Sequence, residues 1–468
     1  MTLNRQRILF TSMFYIALSA SLSACSFFNI LKSNFKNNKV YSVQHGTLCK
    51  IQKEIYVAYT EPRKAPITNM SYMGLGLNRE ETRSYMQSSD WNEGIMKRIS
   101  KDNGQTWSEW TLTPKQKQIF GDYTESLNYG SVFFDSNSKK LIRTVFQRIL
   151  KGTPQSALSA TWKGKKLFWD HGFYQLSDDN GITWSQKHQL KYENGADFNV
   201  DNWGEKDFLY NNEMYIGNLI ILKNGTLVIS ATVPVPYHDD EDEKYPSIFP
   251  NNYREGSVAG AMCFIGKWNK LERKYEWIKS NAVFLPRKIS SRGLVELDIS
   301  ELKNGNLLLI MRGSNAGLNI IESPGRKWYS VSTDGGLTWS PIKDLRYDTG
   351  EQFYSSATYH KTIRSSKTGK LYWIGNINNT PADGNYPRYP LQIVEINEDE
   401  PSLKKSTVTI IDDRSVSEPE LVQLSNFSIL EDRVTKNIEI YLTRLGENGG
   451  GADIWTANSY KYTLYMKH

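Results

Sequence analysis

The sequence predicts an all-β fold, six four-stranded sheets set in a ring as a six-bladed β-propeller. Three observations carry this: an eight-residue motif recurs three times, a second hairpin motif falls between the copies, and helical periodicity is nearly absent from the 468 residues. The copies are Ser100 to Trp107, Ser177 to Trp184 and Ser332 to Trp339, all reading S-x-D-x-G-x-T-W. Asp102 and Asp179 stand 77 residues apart, and Asp179 and Asp334 stand 155 apart, so a decayed copy is expected between the last two.

The chemistry of each box is local. Its Asp is expected to accept backbone N–H bonds across a tight hairpin, its Gly to supply a positive φ, and its Thr and Trp to lead into the next strand. The boxes are therefore structural, and no catalytic role falls on their aspartates. The second motif, Leu222-Lys223-Asn224-Gly225-Thr226-Leu227 and Leu302-Lys303-Asn304-Gly305-Asn306-Leu307, is an Asn-Gly turn between apolar runs. Weaker copies at 136–141 and 367–371 bring the count to six strand-rich units, beginning near residues 42, 127, 214, 293, 353 and 416. The 27 Tyr and 13 Trp suit sheets packed face to face.

The N-terminus is read apart from the fold. Residues 1–24 carry Arg5 and Arg7, no acidic residue and an apolar run from Ile8 to Leu18, too short to span a bilayer. The run leads into Leu22-Ser23-Ala24-Cys25, which resembles the lipobox of bacterial lipoproteins. The resemblance implies cleavage before Cys25 and acylation of its thiol, a tether over 25–40 and a propeller over 41–468. Ser26, in place of the aspartate that retains some lipoproteins at the inner membrane, favours an outer membrane.

Loss of the leader removes two positive charges and no negative one, taking the formal charge from +7 to +5. That surplus is scattered, with no arginine-rich block, so nucleic acid is not an expected partner, whereas weak attraction to acidic glycans is. Cys49 and Cys263 are far apart with no CxxC pair, and are read as buried thiols rather than zinc ligands. No metal or other cofactor is expected, and the chain is expected to act as a monomer on a glycan.

Blade geometry turns the hairpins into a map. If the Asn-Gly turn joins strands a and b at the bottom and the Asp-box joins c and d there too, then the starts of a and c and the end of b lie at the top. Sites of propellers converge at that face. Glu296 starts strand a of blade four, Arg312 ends its strand b, and Arg388 opens strand c of blade five. His45 and Glu418 open blades one and six. Two arginines and two glutamates in one cleft fit an anionic or polyhydroxy substrate, with carboxylates available as acid, base or nucleophile.

The three boxes resemble the Asp-boxes of sialidases, and over roughly residues 42–445 the resemblance extends to the candidate site. Glu296, the Glu301-Leu302 pair, Gly305 and Arg312 reproduce a sialidase pattern, and Arg388 falls at a further family arginine. In sialidases such arginines bind the substrate carboxylate and the Glu assists a tyrosine nucleophile. Two departures stand out. The stretch expected to hold a first arginine reads Val43-Gln44-His45-Gly46-Thr47-Leu48, and the tyrosine position reads Glu418 in Ser417-Glu418-Pro419-Glu420-Leu421. The acid/base aspartate has a weak counterpart in Asp90.

Three functions follow. The leading one is an exo-acting glycosidase on a terminal sugar, acidic or neutral, with Glu296 and Glu418 as working carboxylates. The second is a lyase on a uronate polymer, with His45 or a Tyr as base and Arg312 or Arg388 neutralising the carboxylate. The third is a surface glycan binder without chemistry.

Overall fold

The computed structural model describes residues 40–467 except 89–90, 114–115, 163–164, 200–203, 239 and 241–255; the leader, Cys25, nearly all of the tether and Asp90 therefore lie outside the described residues. Each Asp-box closes a hairpin as its residues dictate. In the second, Ser177 Oγ donates to Asp179 Oδ1 (2.8 Å) and accepts from the Gly181 amide (2.9 Å). Asp179 in turn accepts from the Thr183 amide (2.9 Å) and hydroxyl (2.5 Å). The other two boxes repeat these bonds. Asn180 (φ 59°) and Gly181 (φ 84°) take the left-handed positions, which only Gly and Asn occupy cheaply. The threonine hydrogen bonds hold the Asp102, Asp179 and Asp334 carboxyls down at about 2, so all three are spent on their turns.

Six antiparallel sheets form, each with strand a innermost. Blade one is Ala65–Tyr72, Arg79–Ser88, Trp91–Ser100 and Thr111–Thr113. Blade two is Tyr123–Asp135, Lys140–Lys151, Phe168–Ser177 and His188–Gln189, with Gln116–Phe120 added against its strand a. Blade three is Tyr215–Ile221, Leu227–Pro236, Ser257–Asn269 and Lys274–Lys279. Its c–d turn, where a decayed box was expected, is a plain turn in which Asn269 Oδ1 accepts from the Leu271 and Glu272 amides (both 3.0 Å). Blade four is Val295–Glu301, Leu307–Arg312, Lys327–Ser332 and Lys343–Asp344; blade five is Lys361–Arg364, Leu371–Asn376, Leu391–Asn397 and Thr409–Asp412.

Blade six is the closure. Ser428–Glu431, Ile438–Thr443 and Ser459–Met466 supply strands a to c, and Cys49–Val57 completes it as strand d, with Ile51 opposite Leu464 and Ile55 opposite Tyr460. Val40–His45 pairs outside that strand. Residues 40–57 thus finish the last sheet instead of opening blade one, which begins at Ala65. This corrects the placement of His45: it is exposed on the outermost strand, opposite Lys50 at the bottom end, far from the axis. The pairing joins residues more than 400 positions apart, a contact that no local pattern reveals.

Between neighbouring blades the apolar faces interlock. Leu308, Ile310, Trp373 and Val394, all at most 1% exposed, pack blade four against blade five, and Cys49 and Cys263 are buried free thiols as expected. Two short helices, Pro154–Trp162 and Lys206–Tyr210, stand on top-face connections beside blade two. No helix among the described residues is long and apolar enough to cross a membrane.

A chain that begins at Gly46 is expected to melt nearly as the full protein does, because it loses only the outer strand. One that begins at Ala58 bares the Ser459–Met466 edge and should lose its cooperative melt and aggregate. Circular dichroism melts of the two truncations check this.

Candidate active site

The inner strands do not run straight. Strand a is bulged between Tyr129 and Val132 in blade two, between Ile216 and Leu219 in blade three, and between Val295 and Asp298 in blade four. A bulge inserts an unpaired residue and re-aims a side chain. In blade four that residue is Glu296, held at φ 50°, a left-handed conformation that costs a non-glycine residue about 1 kcal/mol. Strain at a carboxylate on the axis marks a position whose direction is fixed by its surroundings.

Those surroundings are cationic. Arg312 Nη1 lies 2.6 Å from Glu296 Oε1, with both side chains largely buried. Arg312 Nη2 donates to Asn385 Oδ1 (3.1 Å), and Arg388 Nε donates to the Asn385 carbonyl (3.2 Å), so one asparagine links the two guanidinium groups. Arg388 Nη1 also donates to Gln423 Oε1 (3.0 Å). Lys327, directly opposite Arg312 in the sheet and fully buried, donates to the carbonyls of Ser356 (3.0 Å) and Thr358 (2.6 Å). Burial, reinforced by Arg312, pushes its ammonium down to about 7. Burial works against ionisation of Glu296, yet Arg312, Lys327 and Arg388 outweigh it and hold the carboxyl below its ordinary value. Glu296 Oε2 and Arg312 Nε are both buried without a hydrogen-bond partner among the described residues.

Two phenols complete the group. Tyr215 is the first residue of strand a in blade three, and Tyr359 precedes strand a of blade five. Burial, together with the Glu296 charge, pushes both phenols up. Behind Tyr215, Arg148 makes a two-point pair with Asp170 (2.7 and 2.8 Å) at the top of blade two. Tyr215, Glu296 and Tyr359 line the upper end of an axial channel of about 570 Å³ whose walls come from all six inner strands. Arg312 pairs with Glu296 from outside that lining, and the charge of Arg388 adds to it.

Of the residues named from sequence, Glu296, Arg312 and Arg388 come together as expected. Glu418 does not join them. Its carboxylate is taken by Arg444, just after strand b in blade six, which also holds Asp412 of blade five at 2.9 Å. Burial opposes the ionisation of Glu418, but Arg444 and the Ser415 amide hold it down at about 2. It is a staple between blades five and six, and this corrects its assignment as a catalytic carboxylate. The stretch 43–48, searched for a third arginine, lies on the outer edge. The lead-in to the true first strand carries Arg63 and Lys64, whose heads pair with Asp453 (2.9 Å) and Glu61 (3.3 Å) at the surface.

Sequence reasoning missed Tyr215, Tyr359 and Lys327. Tyr215 opens a strand a, the same rule that found Glu296, and applying it to the unit beginning near 214 finds it. Lys327 carries no such signal, since its role depends on carbonyls of another blade.

A six-bladed, sialidase-like propeller built on Asp-box repeats is the class that this fold defines. The BNR/Asp-box repeat family matches residues 98–109 and 175–186. Among solved structures, a protein of unknown function from Dyadobacter fermentans superposes with TM-score 0.53 at 14% identity, covering 89% of this chain and 99% of its own. NanB sialidase from Streptococcus pneumoniae, as its K499G mutant, superposes with TM-score 0.52 at 13% identity, over 86% of this chain and 68% of its own. The same sialidase in complex with a chlorobenzyl-ammonio ethanesulfonate gives 0.52 at 14% identity, over 92% and 71%. No curated protein matches the sequence significantly.

Replacing Glu418 by Gln should cost about 2 kcal/mol at neutral pH, the scale of hydrogen bonds to a charged group. A carboxyl held at about 2 against an ordinary 4.5 stabilises the fold above 4.5 and loses that contribution as pH falls through 2. The gap in stability between Glu418→Gln and the parent should therefore close between those values, which urea titrations at a series of pH values measure.

Proposed function

We propose that this chain is a glycosidase of the sialidase kind, removing a terminal sugar that carries a carboxylate. The observation behind the reading is the strained Glu296 in its setting: three cations (Arg312, Arg388 and Lys327) around one carboxylate, with two phenols beside it. A net positive, partly buried pocket favours an anionic ligand, and the unused Arg312 Nε offers a further donor.

In this reading Arg312 and Arg388 take the sugar carboxylate, and Tyr215 attacks the anomeric carbon as Glu296 accepts the phenolic proton. A neutral phenol does not repel an anionic substrate as a carboxylate nucleophile would. The raised pKa keeps the proton on Tyr215 until Glu296 removes it. The leaving oxygen takes its proton from Asp90, which falls between strands b and c of blade one in sequence. Water then displaces the phenolate and restores both groups. The lipobox reading adds a membrane anchor at Cys25. Strand Val40–His45 begins opposite Glu54, near the top end of its neighbour. A tether over 25–39 spans at most about 50 Å from there, which keeps the site close to the membrane that carries the anchor.

A uronate lyase is the second reading, resting on the same linked arginines, Arg312 and Arg388, which would neutralise the uronate carboxylate. Incubation with a fluorogenic N-acetylneuraminate, a fluorogenic glucuronide and a uronate polymer separates the readings. Fluorophore release marks the hydrolase, and a new ultraviolet-absorbing double bond marks the lyase. Glu296→Gln and Tyr215→Phe should each lower kcat by at least ~100-fold, whereas Glu418→Gln should leave it near the parent value. Product from none of the three substrates leaves only glycan binding and overturns the proposal.

A further inference from the structure

Four arginines are buried among the described residues: Arg79, Arg143, Arg312 and Arg444, at 3%, 9%, 8% and 4% exposure. Three of them hold carboxylates. Arg79 pairs with Asp432 (2.5 Å) and Glu439 (3.0 Å), Arg312 with Glu296, and Arg444 with Asp412 and Glu418. Arg143 holds none. Its Nε and Nη2 both donate to the amide oxygen of Gln175 (3.1 and 2.9 Å). Its faces meet two aromatic rings, Tyr129 at 4.0 Å and Trp184 at 3.9 Å from centroid to Cζ.

Ring contacts stabilise a guanidinium, but they do not require the carboxylate to be missing. Blade one shows the comparison. Arg98 packs on Trp107, the tryptophan of its own Asp-box, and on Trp110, both at 4.6 Å, and it also pairs with Glu81 at 2.5 Å. In blade two the pair is reversed across the sheet: Arg143 stands on strand b where blade one has Glu81, and strand c offers it no carboxylate but Gln175, whose own amide donates to the Ser185 carbonyl (2.7 Å) and so fixes its oxygen toward Arg143. A desolvated cation is thereby built in and left with net charge, although burial alone disfavours it and lowers its pKa to about 10.

The location gives that charge an outlet. Arg143 and Trp184 line the axial channel below the level of Glu296, together with Glu80 and Lys97, and the Tyr129 ring, which starts from the level of the bulges, meets Arg143 there. Glu80 is the one carboxylate whose charge bears on Arg143, and it stays beyond ion-pair distance. The Lys97 ammonium makes no ion pair among the described residues. The bulge after Tyr129 turns that ring onto Arg143 and leaves it 40% exposed.

We propose that the lower part of the channel is a second binding site, in which Arg143 takes the carboxylate of an acidic monosaccharide and the exposed Tyr129 ring packs against the sugar. Lys97 supplies the second positive charge. The site is separate from the Glu296 pocket and does not depend on what that pocket catalyses. Its chemistry matches an acidic sugar acting as effector or as released product, held below the level of Glu296.

Indole resonances of protein labelled with 15N-tryptophan report on it, with Trp184 assigned by Trp184→Phe. Titration with sodium glucuronate should shift the Trp184 signal saturably, and glucose should not. Arg143→Met keeps the volume and should weaken the apparent Kd by about 30-fold or more, as expected for loss of one partner of a buried charge pair. Gln175→Glu gives Arg143 a carboxylate of its own and should abolish the shift even if Arg143→Met folds poorly. Arg312→Met, beside Glu296, should leave it intact. No saturable shift in the parent, a shift that survives Gln175→Glu, or loss of the shift in Arg312→Met would each overturn the second site.

Discussion

Ring closure is the constraint on which the rest stands. A propeller blade is only a twisted four-stranded sheet, and its inner strand is held at the axis because the neighbours on both sides are held there too. Cys49–Val57 completes the sheet that Ser459–Met466 leaves unfinished, so the two ends of the chain lock one another. A sheet with a bare edge is prone to wrong pairing and fraying, and an open ring would let blades four and five drift apart. Glu296, Arg312, Arg388 and Lys327 come from two of those blades and are useful only at fixed mutual distances.

Within the closed ring, charge is placed with a regular logic. An arginine stands toward the top of strand b in blade two, at its end in blade four and just after it in blade six: Arg148, Arg312 and Arg444. Arg148 and Arg444 are matched by carboxylates from a neighbouring strand or blade and act as staples. Arg312 is matched too, but by a glutamate on a strained bulge that leaves one oxygen unpaired. Arginines high on strand b thus serve architecture twice and the candidate site once. What separates the cases is the conformation of the acidic partner: Glu296 stands on an inner-strand bulge at positive φ, whereas Asp170, Asp412 and Glu418 do not take positive φ.

The legibility of the chain follows from the range of each interaction. The Asp-boxes were readable because every bond in them spans four residues or fewer, and Asp, Gly and Thr are needed at fixed offsets. Glu296 and Arg312 were readable because strand ends alternate between faces once the turns are known. His45 and Glu418 were misplaced for opposite reasons. For His45, the first strands of the chain belong to the last sheet, which shifts the whole count of blades. For Glu418, the right face was predicted, but a long-range partner, Arg444, had already claimed the carboxylate. Tyr215 obeyed the rule that found Glu296, and only the weighing of residue types passed it over.

By itself the sequence determined the repeat, the class of fold, the buried thiols and two of the arginines on the upper face, since turns and strand alternation are local consequences of residue type. Tertiary structure decided which strands close the ring, which carboxylates are consumed by staples, and which charges are left without a mate. Those outcomes depend on contacts between residues tens to hundreds of positions apart, and a charge counts as available or spent only after every neighbour around it has been placed.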